Sequence, residues 1–109
     1  MMKAENELRR FGLKEAKINQ IISVFLQYPQ IHKVLLYGSQ AKGNYRNGSD
    51  IDLTLIGDVS YSQLSSIEDK IDDLLLPYSF DISIFSNIEN PDLIDNINRI
   101  GNIFYEKAI

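Results

Sequence analysis

The 109-residue chain has no cysteine and no tryptophan, and its single histidine is His32. Without cysteine there can be no disulfide framework, thiol nucleophile or cysteine zinc site, and one histidine cannot build a multi-histidine metal site. Any metal must be held by oxygen. Long hydrophobic runs are also missing: no stretch approaches the roughly 18–20 apolar residues that cross a bilayer, and the start Met1-Met2-Lys3-Ala4-Glu5-Asn6-Glu7 lacks a signal peptide's apolar segment. No membrane role and a cytoplasmic location are the expectation. Positive charge is in deficit, with eleven Lys plus Arg against fifteen Asp plus Glu and a net charge of −4. That is the wrong sign for gripping nucleic acid through bulk charge, so no strong nucleic-acid binding is expected. What is present suits an ordinary globular protein: 44% hydrophobic and 24% charged residues. The length fits a single domain over residues 1–109, with 1–8 frayed.

Apolar residues Ile18, Ile21, Ile22, Phe25 and Leu26 recur at helical spacing within Lys14 to Tyr28, and Pro29 ends that helix. Two apolar runs follow as strands, Lys33 to Tyr37, bounded by Gly38, and Ile51 to Ile56, stopped at Gly57. The polar segment Ser39 to Ser49 between them reads as a helical turn and a loop. Ser60 and Gln63 form a capping box for a helix whose apolar face is Leu64, Ile67, Ile71, Leu74 and Leu75, closed by Pro77. A third strand, Phe80 to Phe85, puts Phe80, Ile82 and Ile84 opposite Asp81, Ser83 and Phe85. Asn90 caps a last helix with Pro91 at its first position, the stripe Leu93, Ile94, Ile97 and Ile100, and Gly101 at its end, before a short strand at Ile103 to Tyr105. The alternation is α-β-α-β-α-β-α-β, a small sheet flanked by helices. The short link between the first two strands makes them antiparallel, and the full helix between the second and third makes those parallel, so the sheet is mixed. Gly38, Asp50 and Asp81 then converge on one edge.

Asp50 and Asp52 stand two apart on a strand and so share a face. If Asp81 points to that face from the neighbouring strand, three carboxylates share one patch and repel one another, a repulsion that a hard divalent cation relieves; magnesium commonly binds through one or two carboxylates plus substrate phosphates. Gly38 and Ser39 sit at a strand end entering a helical turn, where free amides cradle an anion, and Lys42 and Arg46 add positive charge in the same loop. The parts suit a nucleoside triphosphate with two metal ions. His32 and the six tyrosines read as packing or surface residues.

At these residues the chain resembles the DNA polymerase beta-like nucleotidyltransferase superfamily, and within it the minimal nucleotidyltransferase (MNT) branch. That pattern is Gly-Ser, ten residues, then Asp-x-Asp, and Gly38-Ser39 with Asp50-Ile51-Asp52-Leu53 reproduces it. Gln40 departs from it, since many relatives carry arginine there. The resemblance implies a palm-like α/β (α+β) fold, metal ligation by Asp50, Asp52 and Asp81, and triphosphate binding at Gly38 and Ser39. It further implies transfer of AMP from ATP to a partner's hydroxyl, and a helical HEPN-domain partner in a toxin-antitoxin pair that the MNT chain silences by modifying a tyrosine. Two other readings stand beside it: a nucleotide-binding module without turnover, and an enzyme modifying a small molecule such as an aminoglycoside with a second subunit. The second subunit can be another copy of the chain, so a homo-oligomer is compatible with the sequence.

Overall fold

The computed structural model describes residues 9–10, 13–38 and 50–108. In chain order the elements are β1 (Arg9–Arg10), β2 (Leu13–Lys14), α1 (Glu15–Phe25), β3 (Ile31–Tyr37), β4 (Asp50–Gly57), α2 (Tyr61–Asp72), β5 (Ser79–Ile84), a 3-10 turn (Phe85–Asn87), α3 (Pro91–Ile100) and β6 (Asn102–Glu106). The main sheet has the order β5-β4-β3-β6. β3 pairs antiparallel with β4 and with β6, and β4 pairs parallel with β5 across the α2 connection. The mixed sheet expected from connection lengths is therefore the one that forms. The small β1–β2 hairpin precedes α1 and was not expected from the sequence.

One face of the sheet carries Val34, Leu36, Ile51, Leu53, Leu55, Ile82 and Ile84, all buried, because alternate residues of each strand point the same way. Helices α1 and α2 cover it with Ile18, Ile21, Val24, Phe25, Ile67 and Ile71, and Phe25 meets Phe104 edge-on at a centroid distance of 6.3 Å. Burying each such side chain contributes about 1.5–3 kcal/mol, which fixes the register of all four strands. The α2 terminus is set by its capping box: Ser60 Oγ accepts from the Gln63 amide at 3.1 Å, and the Ser60 amide donates to Gln63 Oε1 at 3.0 Å. Asn90 caps α3 by accepting from the Asp92 amide at 2.9 Å. Helix α3 stands apart from the central cluster, packing along β3 and burying Ile97.

Three expectations need correction. Leu26 caps α1 and is 64% exposed, and Leu75 is 87% exposed with φ +55, so neither belongs to an apolar face. Both fall just past the last helical turn, where the 3.6-residue period no longer governs direction. Phe85 leaves β5 to begin the 3-10 turn instead of extending the strand.

Candidate active site

Strand register aligns one polar row across the sheet face opposite the α1–α2 core. Tyr37 of β3 pairs with Asp52 of β4, which pairs with Asp81 of β5. Directly paired residues in neighbouring strands share a face, and the strands lie about 4.7–4.9 Å apart. Asp50 begins β4 two residues earlier on the same face, level with Ser79 and beyond the last β3 pairing. Asp50 and Asp81 are exposed, whereas Asp52 is half-buried between them. Among the described residues no trio of carboxylates is close enough, as it stands, to close on one ion.

The carboxylates nevertheless feel one another. Burial, then the nearby charge of Asp81, then that of Asp50, push the Asp52 carboxyl above the ordinary carboxylate value. Gly38 follows Tyr37 with φ +78, a left-handed conformation that favours glycine, and a Cβ there would collide with Asp52 Oδ2. The missing side chain lets the backbone at the end of β3 lie directly against the Asp52 carboxylate. Gly38 thus meets Asp52 more closely than Asp50, the neighbour expected from strand ends alone.

Beneath the row lies a hydroxyl network that sequence reasoning missed. Tyr37, buried to 8% exposure, is hydrogen-bonded to the Ser83 side chain; burial and the charges of Asp52 and Asp81 raise its phenol above the usual value against the lowering effect of Ser83. Ser83 Oγ donates to Thr54 Oγ1 at 3.0 Å, and Thr54 is fully buried. In the sequence Tyr37 reads as a packing or surface residue; the available signal is the polar alternation Asp52, Thr54 and Asp81, Ser83 on paired strands. Ser39, Lys42 and Arg46, the other expected nucleotide contacts, lie outside the described residues.

The polymerase beta nucleotidyltransferase family model matches residues 19–109. The chain belongs to this family. It is similar to the "Putative protein adenylyltransferase" of Methanocaldococcus jannaschii, 35% identical over 66 residues that make up 61% of each chain, so the match spans under two thirds of that relative. Among solved structures it is similar to a toxin-antitoxin crystal structure with AMP-PNP, with TM-score 0.68, 18% identity and coverage of 83% of this chain and 73% of the other. A second neighbour is a tri-AMPylated Shewanella oneidensis HEPN toxin in complex with MNT antitoxin, with TM-score 0.62, 16% identity and coverage of 85% and 72%. These likenesses show the nucleotidyltransferase fold, and family membership makes the chain a nucleotidyltransferase domain. Among the described residues no helix is long and apolar enough to cross a membrane.

Proposed function

We propose that the chain is a magnesium-dependent nucleotidyltransferase that moves AMP from ATP to a hydroxyl of a partner protein, the partner being a HEPN-type toxin. The observation that carries this reading is the row of Asp52 and Asp81 in register, with Asp50 on the same face and the Gly38 backbone laid against Asp52. The name of the M. jannaschii relative and the AMPylated HEPN toxin among the structural neighbours support the choice of acceptor.

A magnesium ion fits these residues: the donors are carboxylate oxygens, and the mutual repulsion felt at Asp52 is what a divalent cation removes. Asp50 and Asp52 would hold the nucleotide-bound ion, and Asp81 with them a second. The chemistry such ions supply is charge neutralisation on the triphosphate and activation of a hydroxyl. Gly38 would bring backbone close to the phosphates of the nucleotide, and we assign Ser39, Lys42 and Arg46 to phosphate contact as well. In the transfer, the acceptor hydroxyl loses its proton, its oxygen bonds to the α-phosphorus, and the bond from that phosphorus to the bridging oxygen breaks. Pyrophosphate leaves. Asp81, at the outer end of the row, would take the proton.

Incubation with α-labelled ATP, magnesium and a helical HEPN-domain protein tests the proposal. The expected result is AMP on a tyrosine of that protein, lowered on the order of 10²-fold or more by Asp50→Asn with Asp52→Asn. Label on a small molecule instead would replace the acceptor, and tight ATP binding with no label anywhere would leave a binding module.

A further inference from the structure

Strand β5 is an outer strand of the main sheet, and among the described residues it pairs only with β4. Its free edge offers the backbone groups that another strand needs. Beside it runs a groove of about 240 Å³ between β5 and α2, lined by Glu68, Asp69, Ile71, Asp72, Phe80 and Ile82. The charged part of this lining is wholly acidic, and Glu68, Asp69 and Asp72 are exposed. The lysine of α2, Lys70, is turned away from it, donating to Gln27 Oε1 at 2.8 Å and lying over the Tyr28 ring. The groove thus has two apolar side chains from the sheet, three carboxylates from the helix, and an unpaired ladder edge alongside.

Resting on the transferase reading, we propose that β5 is where the acceptor docks: an extended, basic segment of the partner adds as a strand to its free edge. The alternation of strand side chains dictates the sequence of that segment. The residue paired with Asp81 continues the row Tyr37, Asp52, Asp81 and presents its side chain on the carboxylate face, about one strand spacing from Asp81. Its two neighbours point to the other face, over the groove, where Glu68, Asp69 and Asp72 favour lysine or arginine and Phe80 and Ile82 accept their aliphatic stems. A hydroxyl residue flanked on both sides by basic ones is therefore the pattern recognised. The same ladder that holds the segment aims its hydroxyl at the site.

The test uses the full chain and a synthetic peptide, Lys-Thr-Lys-Tyr-Lys-Thr-Lys, with binding measured by calorimetry in the absence of nucleotide. Exchanging the tyrosine with a neighbouring lysine keeps the composition but breaks the alternation, and affinity should fall several-fold. Two further peptides carry N-methyl groups on one or the other set of alternate amides. A ladder uses only one set, so one peptide should lose at least tenfold in affinity and the other should bind like the parent. The Glu68→Lys, Asp72→Lys variant should bind the parent peptide roughly tenfold more weakly at low salt, with ATP binding unchanged. Equal effects of the two methylation patterns, or unchanged peptide affinity in the charge-reversal variant, would overturn the docking site. Should the peptide bind as described yet gain no AMP when ATP and magnesium are added, the transferase reading fails and the docking site stands. Should the partner protein be labelled at the wild-type rate by the Glu68→Lys, Asp72→Lys variant, the docking site fails and the transferase reading stands.

Discussion

Alanine at Gly38 and alanine at Gly57 should have opposite balances of stability and function, because the added methyl group meets different obstacles. Both glycines have positive φ, +78 and +149, so alanine at either pays for a backbone conformation that costs an L-residue about 1–3 kcal/mol. At Gly38 the methyl meets the Asp52 carboxylate, the free end of a side chain that can rotate away at a cost of about 0.5–1.5 kcal/mol. At Gly57 it meets the carbonyl oxygen of Gln30 and lies 3.1 Å from the amide nitrogen of His32, both backbone atoms. There the chain itself must shift, adding about 1–3 kcal/mol or more. Gly38→Ala should therefore lower stability by about 1.5–4.5 kcal/mol, a fall in Tm of roughly 6–35 °C for a domain of this size. It should also displace Asp52 from its place between Asp50 and Asp81, and a misplacement of about 1 Å at a reacting centre costs on the order of 10²-fold in rate. Gly57→Ala should cost more stability, yet below its own Tm it should retain magnesium-ATP binding and transfer, because residue 57 ends β4 at the opposite end from Asp50. Thermal melts followed by calorimetric titration of ATP with magnesium at 15 °C separate the two effects. Wild-type transfer by a folded Gly38→Ala protein would refute the claim that this glycine exists to admit the Asp52 carboxylate.

Four other substitutions probe the same framework. Asp52 holds its proton to higher pH when folded than when unfolded, so its contribution to stability is fully present below about pH 4 and is lost as pH rises through the folded value. Asp52→Asn, which cannot ionise, should thus melt higher than wild type at pH 7 but not at pH 3, while transfer is abolished; equal melting differences at both pH values would contradict the electrostatic account. Ser60→Ala removes the cap of α2 and should destabilise by about 0.5–2 kcal/mol in chemical denaturation, leaving ATP affinity unchanged. Tyr37→Phe and Ser83→Ala should each cost about 1 kcal/mol, and the double variant less than their sum, because both interrupt one hydroxyl chain. Strict additivity would show that the chain does not act as a unit.

Local rules were enough to read most of the elements. The capping box at Ser60 and Gln63 and the Asn90-Pro91 helix start each act within a few residues, so both formed where the sequence placed them, and the period-two alternation of β5 held as far as Ile84. Connection length then set the antiparallel and parallel pairings of β3, β4 and β5. The chemistry of Asp50, Asp52 and Asp81 was legible too, as residue types at a fixed spacing. Register was not legible. That Asp52 rather than Asp50 stands level with both Tyr37 and Asp81 depends on how Leu53, Leu55, Leu36 and Ile82 pack under α1 and α2, a sum of nonlocal contacts that no single strand encodes. The same is true of Tyr37, whose hydroxyl reaches Ser83 two strands away, and of the acidic groove, whose walls come from α2 and β5. Sequence determines which side chains can do chemistry and which face of each element they leave from. Tertiary packing decides which of them become neighbours, because burial of the apolar face is worth far more than any contact made on the polar one.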